Sequence, residues 1–221
     1  MLILHHLELS RSHRILWLLE ILGVPYQVQT YKRDPKTLLA PATLKEIHPL
    51  GKSPVLQDGD NVIAESGAII EYLVDRYSDG QLRPTEGQAL LEYRYWLHYA
   101  EGSLMPLLVM KLVFSRIPKS PMPIFIKPIA NKLMAKVQKA FLAPQLKTHM
   151  DYIENHLADR QWFAGEFSAA DIQMSFPLEA ASNRLDLKHY PNIAAFIERC
   201  RKLEQYQNAE KKGGPVVLEA N

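Results

Sequence analysis

The N-terminal third of the chain alternates short apolar runs with helical patterns. The apolar runs lie at residues 1–6, 55–57 and 62–64, and residues 26–31 alternate partly and include aromatics, which also predicts a strand. The helical patterns lie at 12–22, 43–47 and 66 to about 77. Gly23, with Pro25 just beyond it, ends the first helix, and Asp58-Gly59-Asp60 is a hairpin-turn signal between the last two strands. The order is therefore βαβαββα, and because a helix joins the first two strands, we expect them to be parallel.

The rest of the sequence predicts helices only. Long helical patterns cover residues 88–114 and 129–157, and shorter ones begin at Ser168 and at Tyr190-Pro191. Ser168 and Asp171 form the capping-box pattern that opens a helix. The chain therefore divides into an α/β domain at 1–78, a linker at 79–86, an all-α domain at 87–211 and a loose tail at 212–221.

Composition fits a soluble globular protein, because 47% of the 221 residues are hydrophobic and the net charge is +2. This small net charge gives no reason to expect nucleic acid or an anionic membrane as a partner. The apolar runs are too short to span a bilayer, and the N-terminus lacks the basic segment of a signal peptide. Cys200 is the single cysteine, which excludes an intramolecular disulfide and a CxxC site. A cytosolic protein fits these features.

Polar residues around the predicted hairpin are candidates for binding an extended ligand. The Ser53-Pro54 bond is expected to be trans on frequency alone, whereas a cis bond would turn the Ser53 backbone toward a peptide-like ligand. Ser66 either caps the third helix or helps the free N–H groups there to bind a carboxylate. Glu65 could hold an ammonium group, and Lys52 is either a second partner for a carboxylate or a solvated lysine of the turn. Together these side chains suit an amino-acid head group.

Ser10 lies between the first strand and the first helix, at the sheet edge where ligands of open α/β sheets collect. Its hydroxyl either caps the helix, as that of Ser12 also could, or donates to a bound anion such as a thiolate. Lowering a thiol pKa from about 8.5 by roughly 2 units requires about 2.7 kcal/mol. One charge-assisted hydrogen bond at a helix N-terminus is of that order, and Arg11 adds positive potential. Without a G-x-S-x-G turn, hydrolase chemistry is not expected.

Three segments carry a resemblance to the cytosolic glutathione transferases, over nearly the whole chain. They are LGKSPVL at 50–56, AESGAIIEYL at 64–73 and FSAAD at 167–171. The first two resemble the thioredoxin-like domain of that family, and the third resembles a folding motif of its helical domain. LSRSHR at 9–14 looks like the serine-type segment of the family, and MKLVF at 110–114, with the proline-rich insert, is similar to a bacterial and fungal subgroup.

The resemblance implies a thioredoxin-like N-terminal domain that binds glutathione and an all-helical C-terminal domain that forms an electrophile pocket. Ser10 would donate to the glutathione sulfur, with Arg11 and Ser12 as supporting residues for the thiolate. The residues implied to bind the rest of glutathione are Lys52, Ser53, Pro54 (through a cis bond), Glu65 and Ser66. One departure is Gly67, where the family often has arginine.

The sequence therefore predicts a cytoplasmic glutathione transferase that conjugates small hydrophobic electrophiles in detoxification. Glutathione is the expected co-substrate, no metal is expected, and a second copy of the chain is expected as partner in a homodimer, without nucleic acid or membrane. Two alternatives stay open: a non-catalytic glutathione-binding or adaptor protein of the same fold, and a glutathione-dependent peroxidase. Disulfide chemistry through a protein cysteine is disfavoured because no cysteine lies near Ser10.

Overall fold

A computed structural model describes residues 1–35 and 37–216 of the chain. Its N-terminal part contains β1 (Leu2–Leu7), α1 (Ser12–Leu22), β2 (Tyr26–Tyr31), α2 (Leu44–Ile47), β3 (Val55–Asp58), β4 (Asn61–Ala64) and α3 (Ser66–Tyr77). Its C-terminal part contains α4 (Gly87–Tyr99), α5 (Met105–Arg116), α6 (Lys127–Val137), α7 (Ala143–His156), α8 (Ala169–Ser182), α9 (Pro191–Arg201) and α10 (Glu204–Gly213). The predicted order βαβαββα followed by helices is confirmed.

The described strands form one sheet in the order β2-β1-β3-β4. The prediction that β1 and β2 are parallel is confirmed, whereas β3 runs antiparallel to both β1 and β4. Leu4 of β1 pairs with Leu56 of β3, and both side chains are fully buried. Because β1 is a central strand, the chain that leaves its carboxyl end enters α1 next to the middle of the sheet.

Helix α1 is buried on nearly all sides, as its continuous apolar pattern indicates. Residues 15–19 are completely buried. The indole of Trp17 packs against Tyr206 of α10, with ring centroids 5.1 Å apart, and against Phe167, with centroids 5.9 Å apart. The helix therefore lies between the sheet and the helical part of the chain, so both parts contribute to the surroundings of its N-terminus.

The predicted helices at 88–114 and 129–157 are each divided in two by a π-helical turn. These turns are Ala100–Leu104, between α4 and α5, and Gln138–Leu142, between α6 and α7. Each turn is followed within two residues by a proline, Pro106 or Pro144. Proline has no N–H to donate to the preceding turn, and an inserted residue relieves the clash of its ring with that turn. The described helices include none that is long and apolar enough to cross a membrane.

The capping box at the start of α8 is confirmed. Asp171 accepts a hydrogen bond from the backbone N–H of Ser168 at 2.8 Å with Oδ2, and one from the N–H of Phe163 at 2.8 Å with Oδ1. All three residues are buried, so the Asp171 carboxylate connects the preceding turn to the helix. This segment organises the fold and lies outside the candidate site.

The C-terminal end differs from the prediction. Only one helix, beginning at Tyr190-Pro191, and a loose tail from 212 were expected at this end of the chain. The structure has two helices there, because α9 ends at Arg201 and α10 extends to Gly213. Tyr206 and Val216 are buried. Gly213 lies so close to α1 and β1 that a Cβ there would come within 2.7 Å of Leu16. Helix α10 was not predicted because its sequence is mostly polar and only a few small or aromatic residues pack on α1. Residues 217–221 of the predicted tail lie outside the described residues.

Candidate active site

A cavity of about 770 Å³ lies between the N-terminal part of the chain and the helical part. Of the predicted site residues, those that line it are Ser10, Arg11, Lys52 and Ser53. The facing wall carries an apolar patch that includes Met105, Leu108, Leu112 and Phe176. Helices α5 and α8 supply that patch, so an apolar surface from the helical part faces the residues of the N-terminal part across the cavity.

Ser10 occupies the turn between β1 and α1. The preceding residue, Leu9, has a φ of 55°, a left-handed conformation that is uncommon for a leucine. The Ser10 side chain is 7% exposed and opens onto the cavity. Its Oγ accepts a hydrogen bond from the N–H of Ser12 at 3.3 Å and lies 2.8 Å from Ser12 Oγ. Ser10 thus combines contact with the cavity and a position at the start of α1.

Ser12 is completely buried and continues a chain of hydrogen bonds inward. Its Oγ lies 2.8 Å from His6 Nδ1, and His6 Nε2 lies 2.8 Å from the carbonyl oxygen of Gly213. A carbonyl oxygen only accepts, so Nε2 carries the proton. Burial lowers the pKa of His6, although the Gly213 carbonyl opposes that shift. A neutral His6 accepts from Ser12 at Nδ1, and Ser12 then accepts from the hydroxyl of Ser10.

The direction of these hydrogen bonds decides what Ser10 can offer to a ligand. With His6 neutral, the Ser10 proton points inward to Ser12, and a lone pair of Ser10 faces the cavity. If Ser12 donates instead to Ser10 Oγ, the Ser10 proton is free to turn toward a bound anion. His6 was not predicted as a functional residue, and its position at the end of the central strand was the only signal for it.

Ser53 contacts the end of β1 with its side chain. Its hydroxyl donates to the carbonyl oxygen of His5 at 2.9 Å and accepts from the N–H of Leu7 at 3.1 Å. The Ser53–Pro54 peptide bond is cis, as the resemblance implies and contrary to the trans bond expected from frequency alone. The side chain of Ser53 is therefore occupied within the protein, while the residue still lines the cavity.

Glu65, Ser66, Pro54 and Ser12 do not line the cavity itself. The sheet register pairs Val55 with Ala64, which brings Glu65 beside the Ser53–Pro54 segment at the start of α3. Glu65 is exposed, whereas Ser66 is only 3% exposed. The structure therefore places the two predicted anchors at adjacent strand ends, next to the cavity.

Arg14 and Glu101 support this region and were not predicted. Arg14 is completely buried and donates to Ser66 Oγ at 3.0 Å, to the carbonyl oxygen of Gln173 at 2.8 Å and to Glu101 Oε1. Arg11 Nε donates to Glu101 Oε2 at 2.9 Å. Burial acts to raise the pKa of Glu101, but the charges of Arg14 and Arg11 outweigh it and hold that pKa below its usual value. The sequence signal for this pair was a single arginine, Arg14, among the mostly apolar residues of α1.

His13 gives a pH-dependent prediction. Burial lowers its pKa to about 3, helped by the nearby His6. The unfolded chain binds a proton at this histidine below a pH of about 6.5 and the folded chain does not, so stability falls as the pH is lowered from there toward 3. We expect His13→Phe to reduce the loss of unfolding free energy between about pH 7.5 and about pH 5 by roughly 1–2 kcal/mol, measured by urea denaturation. The exposed His98→Phe is the matched control, and equal losses in both variants would contradict the prediction.

Comparisons with known proteins find the same family along most of the chain. The family described as "Glutathione S-transferase, N-terminal domain" matches residues 1–75, and "Glutathione S-transferase, C-terminal domain" matches residues 104–204. The chain is 41% identical to glutathione S-transferase 3 of Schizosaccharomyces pombe over 200 residues, which cover 89% of this chain and 81% of that one. It is 34% identical to glutathione S-transferase 1 of Saccharomyces cerevisiae over 219 residues, covering 94% and 93%.

Solved structures show the same similarity. A glutathione S-transferase from Actinobacillus pleuropneumoniae superposes with a TM-score of 0.82 at 36% identity, covering 96% of this chain and 93% of that one. The chain therefore belongs to the glutathione S-transferase family, which is a family of transferases. Its N-terminal part has the thioredoxin-like fold of the family, and its C-terminal part is the all-helical domain.

Proposed function

We propose that this protein conjugates glutathione to small hydrophobic electrophiles, with Ser10 stabilising the thiolate. The observation that carries the proposal is the position of the Ser10 hydroxyl, at the start of α1 and on a cavity whose opposite wall carries an apolar patch. A hydroxyl that donates to a sulfur favours the ionised form, and the N-terminus of α1 adds positive potential there. Arg11 lines the same cavity and supports the anion.

The predicted glutathione residues have compatible positions. Lys52 lines the cavity and suits the glycyl carboxylate, and Ser53 suits the cysteinyl backbone. Glu65 and Ser66, together with the N–H groups that open α3, suit the ammonium and carboxylate of the γ-glutamyl group. Arg14 holds Ser66 Oγ at 3.0 Å, which fixes the orientation of that hydroxyl. Pro54 is buried behind them and acts through the conformation of the backbone.

The proposed reaction is a nucleophilic substitution. The glutathione thiol loses its proton to solvent, and the sulfur then forms a bond with the electrophilic carbon while the leaving group departs with its electron pair. Met105, Leu108 and Phe176 would exclude water from the apolar electrophile. The proposal includes an N-terminal domain at 1–78 and a helical domain that begins at residue 87 and includes the whole of α10. It also includes a homodimer and a cytoplasmic location with a role in detoxification.

Calorimetric titration with glutathione tests the proposal. We expect the wild type to bind glutathione and Lys52→Gln to weaken the affinity roughly tenfold, since a charge-assisted contact to a carboxylate is lost. Lys202→Gln, an exposed position at the end of α9, is the matched control and should bind like the wild type. The absence of binding by the wild type would contradict the proposal, and binding without turnover of electrophiles or hydroperoxides would favour a non-catalytic binding protein.

A further inference from the structure

The charged side chains that line the cavity in the described part of the chain are all positive. Seven cationic side chains line it, and no carboxylate is among its lining residues in the described part of the chain. The seven are Arg11, Arg33, Lys52, Lys111, Arg116, Lys119 and Arg184. Since the whole chain has a net charge of only +2, this concentration belongs to the cavity and does not follow from the composition.

Two of these guanidinium groups are held by neutral acceptors. Arg33 donates to three backbone carbonyl oxygens, those of Glu8 at 3.1 Å, Leu9 at 3.1 Å and Leu38 at 2.9 Å. Arg184 donates from Nη1 to the carbonyl oxygen of Ala180 at 2.7 Å. Arg33, Arg184 and Arg116 form no ion pair within residues 1–35 and 37–216. Carbonyl groups orient a guanidinium but leave its charge unneutralised.

Arg116 lies within electrostatic reach of both. Burial lowers the pKa of Arg33, and repulsion by Arg116 and Arg11 lowers it further. Burial and repulsion by Arg116 also lower the pKa of Arg184. Three like charges thus face one another across a partly apolar space, where an anion would relieve the repulsion.

Glutathione does not account for all of this charge. Bound as a thiolate it carries a net charge of about −2, and Lys52 and Arg11 lie on the N-terminal side, where it is proposed to bind. Arg116 ends α5 and Arg184 follows α8, the two helices that supply the apolar patch. The positive charge and the apolar surface therefore occupy the same side of the cavity, which suits a molecule that is apolar and anionic at once.

We propose that Arg116 and Arg184, with Arg33 beside them, form an anion subsite for the electrophile. The preferred acceptor is then an apolar electrophile that carries a carboxylate or another anionic group, and a neutral one is a poorer substrate. This inference rests on the proposed conjugation and adds the class of the second substrate. In the reaction with an aryl chloride, the sulfur–carbon bond forms, the carbon–chlorine bond breaks, chloride leaves with the electron pair, and the thiol proton goes to solvent.

A matched pair of acceptors tests the subsite. A chlorodinitrobenzoate and its methyl ester differ in the negative charge and share the reacting carbon. We expect the wild type to favour the benzoate, and the Arg116→Gln/Arg184→Gln double variant to lower the ratio of kcat/KM for the benzoate over the ester at least tenfold. Added salt should lower the wild-type ratio as well. Arg94→Gln, an exposed arginine of α4 that does not line the cavity, removes the same kind of charge and should leave the ratio unchanged.

Two outcomes would overturn the subsite. One is a ratio that is unchanged in the double variant, and the other is a ratio that falls equally in Arg94→Gln. If the wild type conjugates neither acceptor, the proposed function fails, and the subsite is then tested separately with chemically made glutathione adducts of the benzoate and the ester. Calorimetry should show tighter binding of the benzoate adduct to the wild type and loss of that preference in the double variant, and equal affinities would overturn the subsite on its own.

Discussion

Replacing Ser10 by alanine is expected to lower kcat/KM for conjugation of chlorodinitrobenzene about 25-fold at pH 7. The Ser10 hydroxyl lines the cavity, and without it the pKa of the bound thiol rises by roughly 2 units, from about 6.5 to about 8.5. At pH 7 the ionised fraction then falls from about three quarters to about 3%. The affinity for glutathione should change much less, since the other contacts remain. Steady-state kinetics and calorimetry on the same preparation measure both quantities.

Two serine variants serve as comparisons for Ser10→Ala. Ser12→Ala should have a smaller effect, because Ser12 is buried and acts only through its contact with the Ser10 hydroxyl. Ser120→Ala, at an exposed position after α5, should behave like the wild type. Full activity of Ser10→Ala, or a larger loss in Ser12→Ala, would contradict the assignment of the thiol contact to Ser10.

Glu101→Gln is expected to lower the free energy of unfolding by about 3–5 kcal/mol. Arg14 is completely buried, and this substitution leaves its guanidinium without its carboxylate partner. Denaturation in guanidinium chloride measures the loss. The matched control is Glu92→Gln. Glu92 Oε2 lies 2.9 Å from Nη1 of Arg160, a pair close to the surface, so this change should lower the free energy of unfolding by less than about 1 kcal/mol.

A double variant separates the charge effect from packing. Arg14→Met in addition to Glu101→Gln removes both charges, so it should be less destabilised than the sum of the two single variants. Equal losses in Glu101→Gln and Glu92→Gln would show that the buried pair does not stabilise the junction between α1 and the helical part. Additive losses in the double variant would show that the two side chains act independently.

The sheet and its hairpin could be predicted because their signals are local. Three of the four strands are short apolar runs, Gly23 ends α1 in a left-handed conformation, and Gly59 and Asp60 form the hairpin turn. The capping box of Ser168 and Asp171 is also a local pattern, three residues apart. Structural features that depend only on residues close together in the chain can therefore be predicted from the sequence.

The support of the candidate site could not be predicted because its parts are distant in the chain. His6 is oriented by the carbonyl of Gly213, and that carbonyl is in place only because α10 packs on α1. Arg14 meets Glu101 across 87 residues, and a guanidinium in an apolar helix does not reveal its partner. The sequence indicated Ser10 as a candidate, but the hydrogen bonds that direct its proton depend on tertiary packing.

The positive charge of the cavity could not be predicted from the sequence for a related reason. Arg33, Arg116 and Arg184 lie in three separate segments, and a net charge of +2 gives no sign that they meet. The acceptors of Arg33 and Arg184 are backbone carbonyls, which any sequence can supply at those positions. Only the packing of α5 and α8 against the N-terminal part brings them to one space.

The most direct test of the central claim is the pKa of the glutathione thiol in the complex. Ultraviolet difference absorbance of the thiolate, recorded against pH with saturating glutathione, gives this value without any electrophile. The account predicts a pKa roughly 2 units below that of the free thiol, near 8.5, and a return toward the free value in Ser10→Ala. A bound thiol that titrates like free glutathione, or an unchanged low pKa in Ser10→Ala, would contradict it.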